Sequence, residues 1–408
     1  MIPQCWTLVI SSFSWVCTTI ANNRNQNGGH CQPVVFTGTP ESAAFELANF
    51  HFLESLVRSH NIPCDWTPVA GGVRTFLTPS LFAEAAASAV RFQKHFPDHL
   101  EIVYPENSER LAELRIPNVA GAIVQRCAAS LWPYKLVAYL LEELVASHGD
   151  GGFNLQTNTP ATKISRKEDG RWEVVTPRGS IMTRQVLLAT NGHTGFLLPE
   201  MADLVVPVRG QVAALVADEP PEKLGRSYGF DGEPSADQPW RSDYLIQRPT
   251  GKNEFIFGGG RGLEANMGVG EWRDNVIEDK VSHFLKTQLA PPLDLGQDTK
   301  LEAAAEWTGI MGYSRDMFPF VGQVPSSVGG GEGLFLCAGF TGHGMPNAAL
   351  SAHAVVGMMG GRPEKVDYRL PGEYVLDEER VVMARGLVTV EEWEGLGWAV
   401  DFPGLFAR

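Results

Sequence analysis

Residues 334–348 read Leu-Phe-Leu-Cys-Ala-Gly-Phe-Thr-Gly-His-Gly-Met-Pro-Asn-Ala, and this stretch is the most informative part of the chain about its fold. The apolar run at 334–338 predicts a buried strand, and the three glycines that follow predict a turn. A helix is predicted from about Met345 to Met359, where Gly360 ends it. A strand that enters a helix through such a turn exposes backbone N–H groups at the positive end of the helix dipole. These groups favour an electron-rich ligand.

The composition is that of a globular protein with room for more than one core. The chain has 408 residues, of which 44% are hydrophobic and 20% charged, and this length predicts roughly two to three domains. The net charge of -14 argues against nucleic acid and acidic membranes as partners. The six cysteines show no C-x-x-C pair and the ten histidines no metal-binding spacing, so we expect reduced thiols, no metal and an intracellular, cytoplasmic location.

The amino terminus allows three interpretations. Residues 6–20 are apolar, and no Lys or Arg precedes Arg24. This run is too short for a membrane span, which needs about 20 residues. It is consistent with a buried strand at residues 6–10, with a signal peptide that ends near Ala21 but lacks a basic n-region, or with translated sequence, such as an intron, that is foreign to the protein.

The rest of the chain mixes helical and strand patterns. Helices are predicted from Thr39-Pro40 to about Ser59, from Thr78-Pro79 to Phe96, over residues 133–148 and over residues 274–289. Strands are predicted at residues 153–156, 172–175, 185–189, 211–216, 244–247 and 254–257, with a hairpin turn at Asp169-Gly170. This order predicts an α/β nucleotide-binding domain interrupted by a second domain.

Four motifs in a fixed order carry a family resemblance. They are Asn27-Gly28-Gly29-His30, Val-Leu-Leu-Ala-Thr-Asn-Gly at 186–192, Trp307-Thr308-Gly309 with Asp-Met-Phe-Pro-Phe-Val-Gly at 316–322, and the turn at 339–344. Their order and wording resemble the D-amino-acid oxidase superfamily of FAD-dependent oxidoreductases, in its glycine, sarcosine and amine oxidase branch. The resemblance covers about residues 24–360.

The resemblance implies a two-domain fold. A Rossmann-like FAD-binding domain is expected over residues 1–65, 131–206 and 306–362, with its amino-terminal βαβ unit truncated or replaced. An inserted α+β substrate domain with an antiparallel sheet is expected over residues 66–130 and 207–305. A C-terminal extension follows at residues 363–408.

The resemblance also implies non-covalent FAD binding, because no cysteine stands at residues 309–312, where some members attach the flavin. The residues implied to bind FAD are Asn27, Gly28, Gly29, His30, Ala161, Ala189, Thr190, Asn191, Gly192, Gly339, Thr341, Gly342, His343, Gly344 and Met345. Glycines at these turns permit close approach of the backbone to a ring. Ordinary turns and a ligand-free helix cap are the structural alternatives.

Members of the family oxidise a carbon–nitrogen bond by hydride transfer to the flavin, which implies an amine or amino acid as the small-molecule substrate. Arg261 and Arg315 are candidate carboxylate-binding residues, since a guanidinium grips a carboxylate with two bonds. Trp307 and Tyr313 are candidates for an aromatic wall, and His343 for a catalytic role. Surface ion pairs, core packing and a packed histidine are the respective alternatives.

One departure from the family leaves three hypotheses open. The amino-terminal strand, its G-x-G-x-x-G loop and helix and the acidic residue that binds ribose are absent. The first hypothesis is an FAD-dependent amine or amino-acid oxidoreductase. The second is a flavin-free cyclase, isomerase or dehydratase that reuses the substrate cavity, and the third is a catalytically silent binding protein. In the second case, residues 6–20 replace the lost central strand.

Overall fold

The computed structural model describes residues 7–10, 28–148, 152–217, 223–236, 238–295, 299–360 and 367–390. Its strands are β1 (Thr7–Ile10), β2 (His30–Cys31), β3 (Thr67–Pro68), β4 (Gly72–Phe76), β5 (Leu100–Val103), β6 (Gly121–Gln125), β7 (Ala129–Ser130), β8 (Lys163–Arg166), β9 (Trp172–Thr176), β10 (Gly179–Thr183), β11 (Gln185–Leu188), β12 (Val205–Ala217), β13 (Ser227–Gly232), β14 (Arg241–Gln247), β15 (Phe255–Gly259), β16 (Leu301–Ser314), β17 (Phe320–Gln323) and β18 (Leu334–Ala338). Its α-helices are α1 (Pro40–Ser59), α2 (Pro79–Phe92), α3 (Ser108–Glu113), α4 (Pro133–His148), α5 (Thr194–Leu197), α6 (Asp279–Thr287), α7 (Ala348–Met358) and α8 (Glu378–Arg385). Within these ranges, no helix has the length and apolar character needed to cross a membrane.

A four-stranded sheet in the order β1-β11-β18-β17 carries the glycine-rich turn. Strands β1, β11 and β18 are parallel, and β17 runs antiparallel to β18. Leu188 of β11 packs with Leu336 of β18 in one core, and Leu187 packs with Phe335 in another. The sheet is thus buried on both faces, which explains why β11 and β18 are continuous apolar runs. Both strands are confirmed.

Of the three interpretations of the amino terminus, the strand is present in the structure, at Thr7–Ile10. Strand β1 pairs in parallel with β11, from Thr7 opposite Gln185 to Ile10 opposite Leu188. It therefore supplies the edge strand of the four-stranded sheet. Asn27, which the resemblance assigns to FAD, lies outside the described residues.

An eight-stranded sheet in the order β16-β12-β15-β14-β13-β4-β6-β5 forms the second layer. Neighbouring strands are antiparallel except β13 and β4, which are parallel. Strand β12 pairs with β16 from Val205 opposite Ser314 to Ala217 opposite Leu301. This α/β fold with an inserted sheet layer agrees with the predicted fold class. One face of the sheet carries a large core that includes Phe230, Phe257 and Phe284 of α6.

Helix α1 shows how the local sequence sets an element. Thr39 caps it, since its hydroxyl accepts a hydrogen bond from the Ser42 N–H at 3.1 Å while the Ser42 hydroxyl accepts one from the Thr39 N–H at 3.0 Å. Pro40 occupies the first position, where its missing N–H costs nothing. The helix ends at Ser59, as predicted.

Several predicted boundaries were wrong. Residues 153–156 form no strand, and the partner of β9 across the Asp169-Gly170 turn is β8. Helix α2 ends at Phe92 and helix α7 begins at Ala348. Helix α6 begins at Asp279, not at 274, because the Glu278 N–H donates to the Gln211 side chain at 2.9 Å and is thereby held outside a helical ladder.

A buried ion pair joins α8 to the loop before β17. The Arg380 guanidinium donates to both carboxylate oxygens of Asp316, at 2.8 and 3.1 Å, and to the carbonyls of Phe318 and Pro319. The Arg380 side chain is 5% exposed and that of Asp316 is 11% exposed. The Arg380 guanidinium carbon also lies 4.0 Å from the centre of the Phe320 ring.

Replacing Arg380→Met should lower the free energy of unfolding by about 3–5 kcal/mol, because it leaves Asp316 buried without its counter-ion. The measurement is the urea concentration at half-unfolding. Arg385→Met, on the same helix but facing a half-exposed Asp203, is the matched control and should cost about 0–1 kcal/mol. Equal losses in the two variants would contradict the structural role given to Arg380.

Candidate active site

The turn after β18 is held from three sides. The Asn191 side-chain oxygen, at the end of β11, accepts a hydrogen bond from the Gly339 N–H at 3.0 Å. The Thr341 N–H donates to the Gly312 carbonyl of β16 at 2.7 Å. The Thr341 hydroxyl accepts from the Ser314 N–H at 3.1 Å. The predicted turns at 189–192 and 339–344 are therefore brought together at the carboxyl ends of parallel strands, where open α/β sheets bind ligands.

The turn leaves donors free at the amino terminus of α7. Within the described part of the chain, we find no acceptor for the N–H groups of Gly342, Gly344 and Met345. The Gly344 carbonyl accepts from the Ala348 N–H at 2.8 Å and so starts the helix. Three N–H groups beside a helix amino terminus provide a positive potential for an electron-rich group.

Gly342 and Gly344 tolerate a side chain differently. Gly342 has φ +72°, and an added Cβ would lie 3.1 Å from the Tyr313 hydroxyl. An added Cβ at Gly344 would meet only Phe340, at an ordinary 3.5 Å. The protein's own packing therefore requires glycine at 342, whereas at 344 it does not.

His343 is tied to a carboxylate on α1. Its Nε2 lies 2.9 Å from Glu46 Oε2, which also accepts the Val34 N–H at 2.7 Å. The Glu46 Oε1 accepts from the Asn347 side chain at 3.2 Å, and Glu46 is 7% exposed. The sequence analysis missed Glu46. Its signal was an acidic residue on the apolar face of a helix, next to Phe45 and Leu47.

His30 and Gly28 face the eight-stranded sheet. The His30 ring stacks on Tyr244 of β14, with centroids 5.8 Å apart, and its Nε2 lies 2.8 Å from Gln32 Oε1. Burial lowers the pKa of His30 to about 4, with the Gln32 hydrogen bond opposing and the Arg74 charge adding to the shift. A Cβ at Gly28 would come within 2.3 Å of the Tyr244 ring. Tyr244 was missed, although its alternation with Ile246 marks one strand face.

A cavity of about 390 Å³ lies between this sheet face and the loop that contains Gly28. The residues that line it are Gly28, Asp65, Ser130, Leu131, Trp132, Ala214, Ile246, Arg248, Pro249, Ile256, Ala305, Glu306 and Trp307. Two predicted site residues, Gly28 and Trp307, are thus brought to one cavity. A cavity of this size with an apolar wall and a few polar groups is typical of a small-molecule site.

Other predicted site residues lie elsewhere. Ala161 packs beside the core under β9, ahead of β8. Arg315 donates to the Leu387 carbonyl at 3.0 Å, and its guanidinium lies 3.4 Å from Asp203. Arg261 is buried, with its guanidinium carbon 5.0 Å from the centre of the Tyr313 ring.

The remaining assigned residues have structural surroundings of their own. Thr190 is buried, and its hydroxyl lies 2.8 Å from that of Thr194. Ala189 directly follows β11. The Gly29 φ is +71°, and a Cβ there would meet the Leu131 carbonyl. The Met345 carbonyl accepts from the Asn49 side chain at 3.1 Å.

The cysteines of the described ranges form no disulfide. The described cysteines, Cys31, Cys64, Cys127 and Cys337, are free thiols. Burial raises the pKa of Cys337 to about 12. No group of three or more His, Cys, Asp or Glu side chains that could hold a metal is found within the described ranges.

Comparison with known proteins gives one family and several similar structures. The family model "FAD dependent oxidoreductase" (DAO) matches residues 19–358. Glycine oxidase from Geobacillus kaustophilus is similar with a TM-score of 0.62 at 17% identity, over 88% of this chain and 85% of that chain. Iminodiacetate oxidase from Chelativorans sp. BNC1 gives a TM-score of 0.64 at 15% identity, over 90% and 92%.

L-amino acid deaminase from Proteus vulgaris gives a TM-score of 0.64 at 14% identity, over 90% of this chain and 96% of that chain. At these identities, the three structures show a shared fold. No curated protein sequence matches the chain.

The low pKa of His30 predicts a pH-dependent stability. Between pH 6.5 and about 4, the unfolded chain binds a proton at His30 that the folded chain does not, so the free energy of unfolding falls as the pH falls through this window. The loss over the window is about 3 kcal/mol. His30→Gln should remove this part of the pH dependence, as measured by urea unfolding at pH 7 and pH 5.

His283→Gln, at an exposed position of α6, is the control and should keep the wild-type pH dependence. An unchanged difference between pH 7 and pH 5 in the His30 variant would show that this imidazole is not the group concerned.

Proposed function

Because the chain belongs to the DAO family of FAD-dependent oxidoreductases, we propose that it oxidises a carbon–nitrogen bond of an amine or amino acid. FAD, held without a covalent bond, supplies the acceptor for the hydride that leaves the substrate carbon. The protein's contribution is to hold the substrate and the ring in contact and to exclude water.

One observation carries this proposal. The N–H groups of Gly342, Gly344 and Met345 have no acceptor within the described residues and stand beside the amino terminus of α7. Such donors suit the pyrimidine oxygen of a flavin, where negative charge develops on reduction. The ring end of FAD therefore fits the residues present.

The phosphate end of FAD fits less well. Strand β1 occupies the edge next to β11, but residues 11–27, which follow it, contain no glycine. A backbone loop that approaches a pyrophosphate closely needs glycine. We therefore expect other residues to contact the phosphates and FAD to bind more weakly than it would through a complete loop.

The surrounding residues have positioning tasks in this proposal. Asn191 and Thr341 fix the turn, so the free N–H groups keep one direction. Glu46 holds the His343 ring at the same turn. The Tyr244 ring of β14 lies against Gly28 and so occupies the space beside that glycine. Family membership supports this redox function over a flavin-free enzyme or a silent binding protein.

The visible absorption spectrum tests the proposal directly. After incubation with excess FAD and gel filtration, the protein should show bands at about 375 and 450 nm, as expected for bound oxidised flavin. Addition of a substrate amine or amino acid without oxygen should bleach the 450 nm band. A well-folded sample that retains no flavin would contradict the proposal.

Gly344→Val should weaken FAD binding about 10-fold or more while leaving the fold intact. The added Cβ makes only an ordinary contact with Phe340, at 3.5 Å, while the side chain hinders the approach of a ligand to the N–H donor. The dissociation constant is measured from the quenching of flavin fluorescence. Gly372→Val, where an added Cβ meets nothing within 4 Å, is the matched control. Wild-type affinity in the Gly344 variant would remove the flavin from this turn.

A further inference from the structure

The cavity beside Gly28 holds polar atoms with no partner. The Ser130 hydroxyl and the indole N–H groups of Trp132 and Trp307 are buried and make no hydrogen bond within the described residues. Each of these groups can donate a hydrogen bond. Among the lining residues, Glu306 also has a buried carboxylate oxygen without a partner in the described part of the chain, so the unpartnered donors outnumber this acceptor by three to one. Since a buried donor without a partner costs free energy, a ligand group that reaches these donors and accepts hydrogen bonds is favoured.

The charged groups around the cavity also favour a ligand that accepts hydrogen bonds. The Asp65 carboxylate is neutralised by Lys135 at 2.9 Å. The Arg248 guanidinium makes no hydrogen bond in the described structure, and its closest carboxylate oxygen, on Glu254, is 3.7 Å away. Arg248 is the one cation among the described residues that line the cavity. Its guanidinium N–H groups can therefore donate hydrogen bonds to a ligand.

Trp132 fixes the position of that cation. The Arg248 guanidinium carbon and the Lys135 ammonium each lie 4.6 Å from the centre of the Trp132 ring. The face of an indole attracts a cation at this distance, and the edge of a guanidinium carries N–H groups that can form two parallel hydrogen bonds. A planar carboxylate matches that edge.

The alternation of side chains along β16 places Glu306 on the opposite face of the sheet from its neighbours Ala305 and Trp307. On β16, Ala305 and Trp307 pair with Ala214 and Val212 of β12, which belong to the cavity face. Glu306 pairs with Ala213, whose side chain packs in the core on the opposite face. Successive side chains of a strand point to opposite faces, so the Glu306 side chain is directed away from the face that carries Ala305 and Trp307.

The rest of the wall is apolar. Ala214, Ile246 and Ile256 cover the sheet side together with Trp307 of β16, and Leu131 and Trp132 belong to the rest of the lining. The volume of about 390 Å³ falls in the range of roughly 300–1,000 Å³ that is typical of sites for ligands much larger than glycine.

We propose that this cavity binds a carboxylate with a bulky apolar or aromatic body, and that Arg248 on the Trp132 ring anchors the carboxylate. As a statement about substrate, this rests on the proposed function and selects amino acids with large apolar side chains over simple amines and small amino acids. It replaces Arg261 and Arg315 as carboxylate-binding residues, since Arg261 packs on Tyr313 and Arg315 donates to the Leu387 carbonyl.

Calorimetric titration of the purified protein with three ligands of one shape tests the proposal without turnover. The probes are 3-phenylpropionate, 3-phenylpropanol and 3-phenylpropylamine, with propionate and inorganic phosphate as small anions. The aromatic acid should bind about 10-fold or more tighter than each of the other four. Equal or tighter binding of the amine, the alcohol, propionate or phosphate would overturn the proposal.

Arg248→Met should abolish the preference for the acid over the alcohol and leave the affinity for the alcohol unchanged, which also shows that the cavity is intact. Arg273→Met, at an exposed arginine paired with Glu271, is the matched control and should keep the preference. An acid preference that survives in the Arg248 variant would overturn the assignment.

The two proposals fail separately. Acid binding through Arg248 without flavin reduction by any amino acid would leave the ligand class standing and contradict the redox function. Flavin reduction by simple amines, without binding of the aromatic acid, would do the reverse.

Discussion

The pairing of β12 with β16 is the constraint on which the candidate site depends. The 13-residue strand β12 runs beside β16 along its whole length, from Val205 opposite Ser314 to Ala217 opposite Leu301. One end of this pair delivers Ser314 and Gly312 to the turn after β18, and its middle places Trp307 in the cavity wall. A hinge between the two sheets would have to break the hydrogen bonds that join Thr341 to Gly312 and Ser314, so the turn and the cavity wall keep a fixed relation.

Elements with a local cause were predictable from the sequence. The capping box at Thr39 and Ser42 sets the start of α1, and apolar continuity marks β11 and β18 as doubly buried. Elements decided at long range were not. The start of α6 depends on a hydrogen bond from the Glu278 N–H to the side chain of Gln211 in β12. No residue near 278 in the sequence indicates this bond.

The candidate site divides in the same way. The glycine turns and Trp307 belong to motifs that resemble the family, so they could be proposed as site residues from the sequence. Tyr244, Arg248 and Glu46 could not, because their environment is created by strands and helices that are distant in the sequence. Gly28 shows the limit of motif reasoning. The sequence indicates a close approach at this residue, and in the structure the neighbour that comes close is the protein's own Tyr244 ring.

The segment beyond the region matched by the family model has its own part in the site. Tyr374 is buried and donates its hydroxyl to the Asn347 side chain at 2.8 Å, at the start of α7. Val390 is buried in the cluster that contains Tyr313. A boundary drawn at residue 358 from family similarity alone would therefore cut through the support of the turn. A protein shortened to that boundary would leave the Asn347 side chain without its Tyr374 partner and the Tyr313 cluster without Val390.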